Sequence, residues 1–351
     1  MRPVAIVSVA QTTHRRRVDE LNEVELIQPV IHQALDGAGV TIRDIDFVCS
    51  GSSDYLAGQA FSFVMTLDAV GAWPPIVESH VEMDGAWALY EAWLKIQTGH
   101  ADSALVFSYS KASPGDLPRV LSRQLDPYYY GPLWPDSVAF AGLQARAMID
   151  AGVITEAEMA AIAHRNRTNA ADNPHAQLKG SASPEELLAQ AYLSDPLRRH
   201  DCPPISDGGV AIVLAAEDKA RAWSTRPAWI RGIDHRADGH QIGARDLTVS
   251  PSTKLAGEKA GVGTAPVDIA ELHAPFTHQE RIVTEALGLG DDVVVNPSGG
   301  PLAANPMMAA GLLRLGEVAN RISDGSANRG VAHATSGHCL QQNLVCVLEG
   351  E

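Results

Sequence analysis

Cysteine is scarce in this chain of 351 residues. Cys49, Cys202, Cys339 and Cys346 are scattered and show no Cys-x-x-Cys spacing. A disulfide framework and a zinc site are therefore poor readings; no metal is expected, and a reducing, cytoplasmic setting fits better. Positive charge is also short: 27 Lys and Arg stand against 42 Asp and Glu, a formal net charge of -15. That balance argues against binding nucleic acid or anionic lipid by bulk electrostatics, while leaving room for a local basic patch. No apolar run reaches the roughly 20 residues of a membrane span. Met1-Arg2-Pro3 leads directly into Val4-Ala5-Ile6-Val7 without a signal-peptide pattern. The Gly-x-Ser-x-Gly elbow, the Walker loop and Gly-x-Gly-x-x-Gly are all missing, which removes three common enzyme readings.

What is present reads as ordinary globular protein, 45% hydrophobic and 20% charged. The length allows two or three domain-sized units around a large core. Val4 to Val9 reads as a buried strand, and Asp19 to Ala38 as an amphipathic helix with Leu21, Val24, Ile27, Val30, Ile31 and Leu35 on one face. Further strands are expected at Ile45 to Cys49, around Ile76 and at Ala104 to Ser108, with a helix from Ala86 to Ile96. Residues 112–204 break the pattern with ten prolines and read as an inserted subdomain. The second half, with strands at Trp229 to Ile233, Asp268 to His273 and Val293 to Asn296, repeats the first and places a helix from about Asn305 to Ala319. The expected class is α/β, with a parallel-rich sheet covered on both faces. The halves fall at about 1–218 and 219–351.

Chemistry concentrates where strands end. Glu82-Met83-Asp84-Gly85 joins a strand to a helix whose first N–H groups favour negative charge. Glu82 reads as a general base or as a first-turn acid on the helix dipole. Asp84 reads more readily as a cap. His273 ends a strand and reads as a crevice residue or a core histidine. Ser298, Gly299 and Gly300 form a tight turn whose N–H groups suit an anion or a thioester oxygen. Asn305 reads as an oxyanion donor or an N-cap. His338 and Cys339 pair an imidazole with a thiol, the makings of nucleophilic work or of inert packing. Tyr128-Tyr129-Tyr130 and Trp134 form an aromatic patch in the insertion, read as packing or an interface.

Taken together, the chain resembles the thiolase superfamily, in its sterol-carrier-protein thiolase branch, over nearly its whole length. The resemblance is carried by Ala163-His164-Arg165-Asn166, Asn169 to Gln177, Asp195-Pro196-Leu197 and Asp201 to Gly209, by His273-Ala274-Pro275-Phe276, and by Asn296 to Gly300. It implies two duplicated βαβαβαββ-type halves in α-β-α-β-α layers with an inserted loop domain. Where thiolases carry the acyl-accepting cysteine, this chain has Glu82; where they carry Gly-His-Pro, it has Ala304-Asn305-Pro306. The C-terminal Cys-x-Gly block is replaced by a stretch near Thr335 to Cys339. Cysteine-less relatives, often labelled lipid-transfer proteins, act as aldolases on steroid side-chain CoA thioesters beside a small OB-fold partner protein. They are thought to use tyrosines near the C-terminal blocks, and Phe276 and the Cys339 neighbourhood supply none. The resemblance thus implies a lyase acting on an acyl-CoA, with coenzyme A as part of the substrate and no separate cofactor. Glu82 or His338 would be the base, and His273, Asn305 and helix N–H groups would hold an enolate oxygen, with Asp84, Gly85 and the Ser298 turn lining the site. Two alternatives stand beside it: a silent or regulatory subunit paired with an active thiolase-like chain, and a divergent acyltransferase using Cys339. A homodimer or heterodimer is expected in either case.

Overall fold

The computed structural model describes residues 2–180 and 182–351. The first half runs β1 (Val4–Gln11), α1 (Glu23–Gly37), β2 (Phe47–Gly51), α2 (Asp54–Ala57), α3 (Phe63–Val70), β3 (Glu78–Val81), α4 (Gly85–Gln97) and β4 (Ser103–Ser110). An insertion follows, with α5 (Leu117–Ser122), α6 (Ser137–Asp150), α7 (Glu156–Asn169), α8 (Pro184–Leu188) and the small hairpin β5 (Tyr192–Ser194) and β6 (Leu197–Arg198). The chain then rejoins the sheet at β7 (Gly208–Ala216) and closes the half with α9 (Glu217–Trp223). The second half is β8 (Ala228–Ala237), α10 (Pro251–Ala260), β9 (Ile269–Leu272), α11 (Thr277–Leu287), β10 (Val294–Val295), α12 (Gly300–Ala303), α13 (Ala310–Ser323), β11 (Arg329–Ser336) and β12 (Gln342–Glu349).

Ten strands form one sheet in the order β10-β9-β11-β12-β8-β1-β7-β4-β2-β3. Within each half the order, counted along its own strands, is third, second, fourth, fifth, first. The expected duplication is therefore a property of the topology. Parallel pairs β2–β3, β2–β4, β9–β10 and β9–β11 sit outward, while the seam between halves is the antiparallel β1–β8 pair. That seam is short, with only Ala5↔Trp229 and Ile6↔Ala228 in register.

What joins the halves is packing. One apolar cluster takes Ala86, Leu89 and Ile96 from α4, Leu312, Leu315 and Ile322 from α13, and inward residues of strands from both halves. A second lies under α1 on the opposite face of the first half, and a third under α10 and α11 on that of the second. Alternation along β4 shows how the sequence does this: Ala104 and Val106 face α4, and Leu105, Phe107 and Tyr109 face α1. Helices therefore lie outside, between and outside again, and α4 and α13 are the middle layer.

Local signals are mostly met. Asn22 and Glu25 form a reciprocal capping box that starts α1 four residues later than the Asp19 expected from periodicity. The strand expected around Ile76 begins at Glu78. The helix expected from Asn305 begins at Ala310. Among the described residues no helix is long and apolar enough to cross a membrane.

Candidate active site

Both middle helices begin at one carboxylate. Asp84 is the N-cap of α4, accepting from Ala86 N–H at 2.9 Å. The same side chain accepts from Gly311 N–H at 2.8 Å and Leu312 N–H at 3.0 Å. Ala309, the N-cap of α13, has no side-chain cap of its own. Asp84 therefore supplies a cap across the molecule, satisfying donors that a helix start leaves open. Gly311 is required here, because a Cβ would lie 2.5 Å from Asp84 Oδ1. Burial pushes the Asp84 carboxyl up to about 6, against the lowering effect of its three N–H donors.

This arrangement corrects an expectation. Asp84 is 2% exposed and turned to the two helices rather than to a ligand. Gly85 N–H donates to Met308 carbonyl at 2.7 Å, so the N–H groups expected to meet an enolate are already bonded. The Ser298 turn is likewise internally satisfied. Ser298 N–H and Oγ donate to Glu271 at 2.7 and 2.8 Å, Gly299 N–H donates to Asn296 carbonyl at 2.9 Å, and Gly300 N–H to Ser298 Oγ at 3.2 Å. Arg314 completes this buried network, donating to Glu271 at 2.7 Å and to Ser298 Oγ at 2.8 Å. The turn is structural; a Cβ on Gly299 would meet Ala170 Cβ at 2.6 Å.

His273 and Asn305 do come together. His273 ends the β9 ladder, its N–H donating to His333 carbonyl at 3.0 Å. Its Nδ1 accepts from Thr335 N–H at 3.3 Å, which puts the ring proton on Nε2. Nε2 then donates to Asn305 Oδ1 at 3.2 Å. Burial, with His333 and Arg314 adding to it, lowers the His273 pKa to about 3, so the ring is neutral. Ser206 Oγ accepts from Asn305 N–H at 3.0 Å and anchors that residue. The tautomer fixes the amide: Oδ1 faces the imidazole, leaving the Asn305 NH2 as the uncommitted donor of the pair. Thr335 and Ser206 fell in stretches noted for the resemblance but were given no role, because only the β9–β11 register and the Asn305–Ser206 hydrogen bond bring them here.

The other expected site residues lie apart from this pair in their bonding. Glu82 accepts from Asp54 N–H at 2.8 Å and lies 3.5 Å from His80 Nε2, with its side chain 51% exposed. His338 packs on Phe140 with ring centroids 4.6 Å apart, and burial lowers its pKa to about 4. Cys339 is buried in a cluster with Leu125, Phe140 and Ile242, and burial pushes its thiol up to about 11. All four cysteines are buried. A thiol so raised is not a nucleophile at neutral pH. A polar groove of about 940 Å³ borders the insertion at Asn169, Asp172 and His175 and reaches Glu317, Arg321 and Asp324. Three carboxylates against one guanidinium make it a poor bed for the phosphates of CoA.

The geometry is that of a thiolase fold without a sulfur nucleophile at the start of α4. A solved structure titled Ltp2-ChsH2(DUF35) aldolase superposes with a TM-score of 0.81 at 19% identity, covering 99% of this chain and 97% of that one. No protein-family model matches the chain. The acetyl-CoA acetyltransferase of Methanothermobacter thermautotrophicus is 26% identical over 96% of this chain and 95% of its own length. Sterol carrier protein 2 of Gallus gallus is 27% identical over 98% of this chain and 70% of its own. The chain has the thiolase fold and is similar over nearly its whole length to an acetyl-CoA acetyltransferase and to sterol carrier protein 2, which supports the resemblance to the sterol-carrier-protein thiolase branch.

Proposed function

We propose that the chain acts on an acyl-CoA thioester and cleaves a β-hydroxyacyl-CoA between Cα and Cβ by a retro-aldol route. The observation that carries this reading is the His273–Asn305 pair: a neutral imidazole orients an amide whose NH2 is left to meet an oxygen that gains charge. A base takes the β-hydroxyl proton, and the O–H electrons form the new carbonyl. The Cα–Cβ pair moves onto the thioester oxygen, and the resulting enolate is protonated at Cα. No sulfur nucleophile is involved, in keeping with thiols that burial holds protonated. Similarity to a structure titled as an aldolase supports the same reading. Glu82 is the base in this scheme. In the free chain its carboxylate is held by Asp54 N–H, so it must turn on substrate binding. His338, with its lowered pKa, is a weak base. Incubation with a β-hydroxyacyl-CoA and detection of released aldehyde or ketone tests the reaction. Glu82→Gln should abolish turnover without changing the fold, and unchanged turnover removes Glu82 from the scheme. A steroid or lipid side chain is the substrate class the family resemblance favours.

We read assembly in the same way. β3 is an open edge strand, and Phe61, Trp73 and Val77 on the segments before it are 71%, 83% and 65% exposed. That edge suits a dimer with a second copy or a related thiolase-like chain, beside a small OB-fold acyl-CoA-binding partner. A second reading, a silent subunit paired with an active relative, is favoured by the engagement of Glu82 with Asp54. A chain that is soluble and monodisperse only when co-expressed with that relative would support it.

A further inference from the structure

A small cavity lies where the carboxyl ends of β2 and β4 meet α2. Ser52, Ser53, Tyr109, Ser110, Met307 and Met308 are among the residues that line it. Its volume of about 10 Å³ fits one water-sized group. Tyr109 and Ser110 are 6% and 4% exposed; Ser110 Oγ has no hydrogen-bond partner among the described residues, and Tyr109 Oη has only the neighbouring Ser62 hydroxyl, without a well-formed hydrogen bond to it. Buried hydroxyls are nearly always bonded, so two unsatisfied ones on one cavity call for an occupant that both donates and accepts. Lys111 does not supply it, since its ammonium is engaged by Leu21 carbonyl. Burial pushes the Tyr109 phenol up to about 12, so at neutral pH it is a donor.

The position of the cavity matters as much as its lining. Met307 and Met308 directly follow Asn305-Pro306, and Met308 carbonyl accepts from Gly85 N–H at the start of α4. One wall of the cavity is thus continuous with the segment that carries the Asn305 amide. We propose that this cavity is the alcohol subsite of the enzyme, in which Tyr109 Oη and Ser110 Oγ bind the β-hydroxyl of a hydroxylated acyl thioester. The inference rests on the acyl-CoA reading above and assigns to Tyr109 and Ser110 the choice between hydroxylated and plain acyl chains. A cavity of this size admits an oxygen and excludes an alkyl branch, so the preference is for the hydroxyl itself.

The test is calorimetric titration of the full chain, carrying Glu82→Gln so that the hydroxylated thioester is bound but not cleaved and otherwise wild type at the cavity, with a saturated acyl-CoA and with its β-hydroxy derivative. With the cavity unaltered, the protein should bind the hydroxylated thioester at least about tenfold more tightly, the worth of one or two buried hydrogen bonds. Tyr109→Phe and Ser110→Ala should each shrink that ratio, and together bring it to one, with the affinity for the saturated thioester unchanged. Tyr109→Phe removes a hydroxyl that makes no well-formed hydrogen bond to the protein, so its melting temperature should stay the same or rise. A ratio of one with the cavity unaltered, a ratio that survives both substitutions, or a lowered melting temperature for Tyr109→Phe would overturn the subsite. In the first case binding of both thioesters leaves the acyl-CoA reading standing. Failure of either thioester to bind sinks that reading and the subsite with it.

Discussion

Replacing Asp84 separates two opposing effects of similar size. The carboxylate holds three backbone donors, Ala86 and Leu312 on Oδ1 and Gly311 on Oδ2. Each buried N–H left without an acceptor costs about 1–3 kcal/mol. Asp84→Ala removes all three acceptors and should destabilise the protein by about 4 kcal/mol. Asp84→Asn is different. Its oxygen keeps the two Oδ1 bonds, and its NH2 faces Gly311 N–H, losing one bond of about 2–3 kcal/mol. It also escapes the burial of a charge, which outweighs the three donors and lifts the carboxyl from 3.8 to about 6. The two nearly cancel, so Asn should lie within about 1 kcal/mol of wild type while Ala does not. Urea unfolding of the three proteins measures this, and hydrogen exchange at Gly311 and Leu312 shows whether the loss sits at the start of α13. If Ala costs less than about 1 kcal/mol, or if Asn is as damaging as Ala, the shared-cap argument is wrong.

Asn305→Asp turns the free amide donor into an acceptor and should lower turnover by about 100- to 1000-fold; steady-state kinetics on a β-hydroxyacyl-CoA would show it, and a change confined to KM would count against the oxyanion role. Cys339→Ala should leave turnover unchanged, because the thiol is protonated and packed on Phe140; complete loss of acyl transfer in that variant would instead favour the acyltransferase reading. Acid should destabilise the chain. His14, His273 and His278 are lowered to about 3 and His333 and His338 to about 4, so each is neutral when folded and takes a proton on unfolding below pH 6.5. Asp84 and Glu271, whose carboxyls are raised, act in the opposite sense. More imidazoles than carboxyls are shifted, so the unfolded chain binds more protons and stability should fall as the pH drops from about 6 to 4. Denaturation midpoints that stay flat across that range would contradict the buried-imidazole assignment.

Much of the architecture was legible because it is local. The strand-and-helix alternation, the insertion and the repeat of the halves all follow from periodicity and turn residues. The start of α4 was legible too, since its cap, Asp84, sits immediately before it. The start of α13 was not. Asn305-Pro306 looks like a cap followed by a first-turn proline, yet Met308 adopts φ 69° and the helix waits until Ala310. Its cap lies more than 200 positions away in sequence, and no local pattern reports that. The candidate site divides the same way. His273 and Asn305 were singled out for their expected places at element ends, and the structure brings the two side chains together, although the helix expected at Asn305 starts at Ala310. Asp84, Gly85 and the Ser298 turn looked like donors or ligands because their residue types suit anions, but a sequence does not show when N–H groups have been spent on an internal carboxylate or carbonyl. Tyr109 drew no attention because alternation marks it as a core residue, and only a hydroxyl without a well-formed hydrogen bond sets it apart.

The β1–β8 seam is two residue pairs long, too little to keep the halves in one orientation by itself. Alignment is set in the interior, where one carboxylate grips both central helices. A polypeptide nicked in the 224–227 linker should therefore reassemble from its two fragments through the apolar layer that α4 and α13 share. The duplicated fold behaves as a pre-tethered dimer whose interface is the apolar middle layer, pinned at the helix starts by one shared side chain.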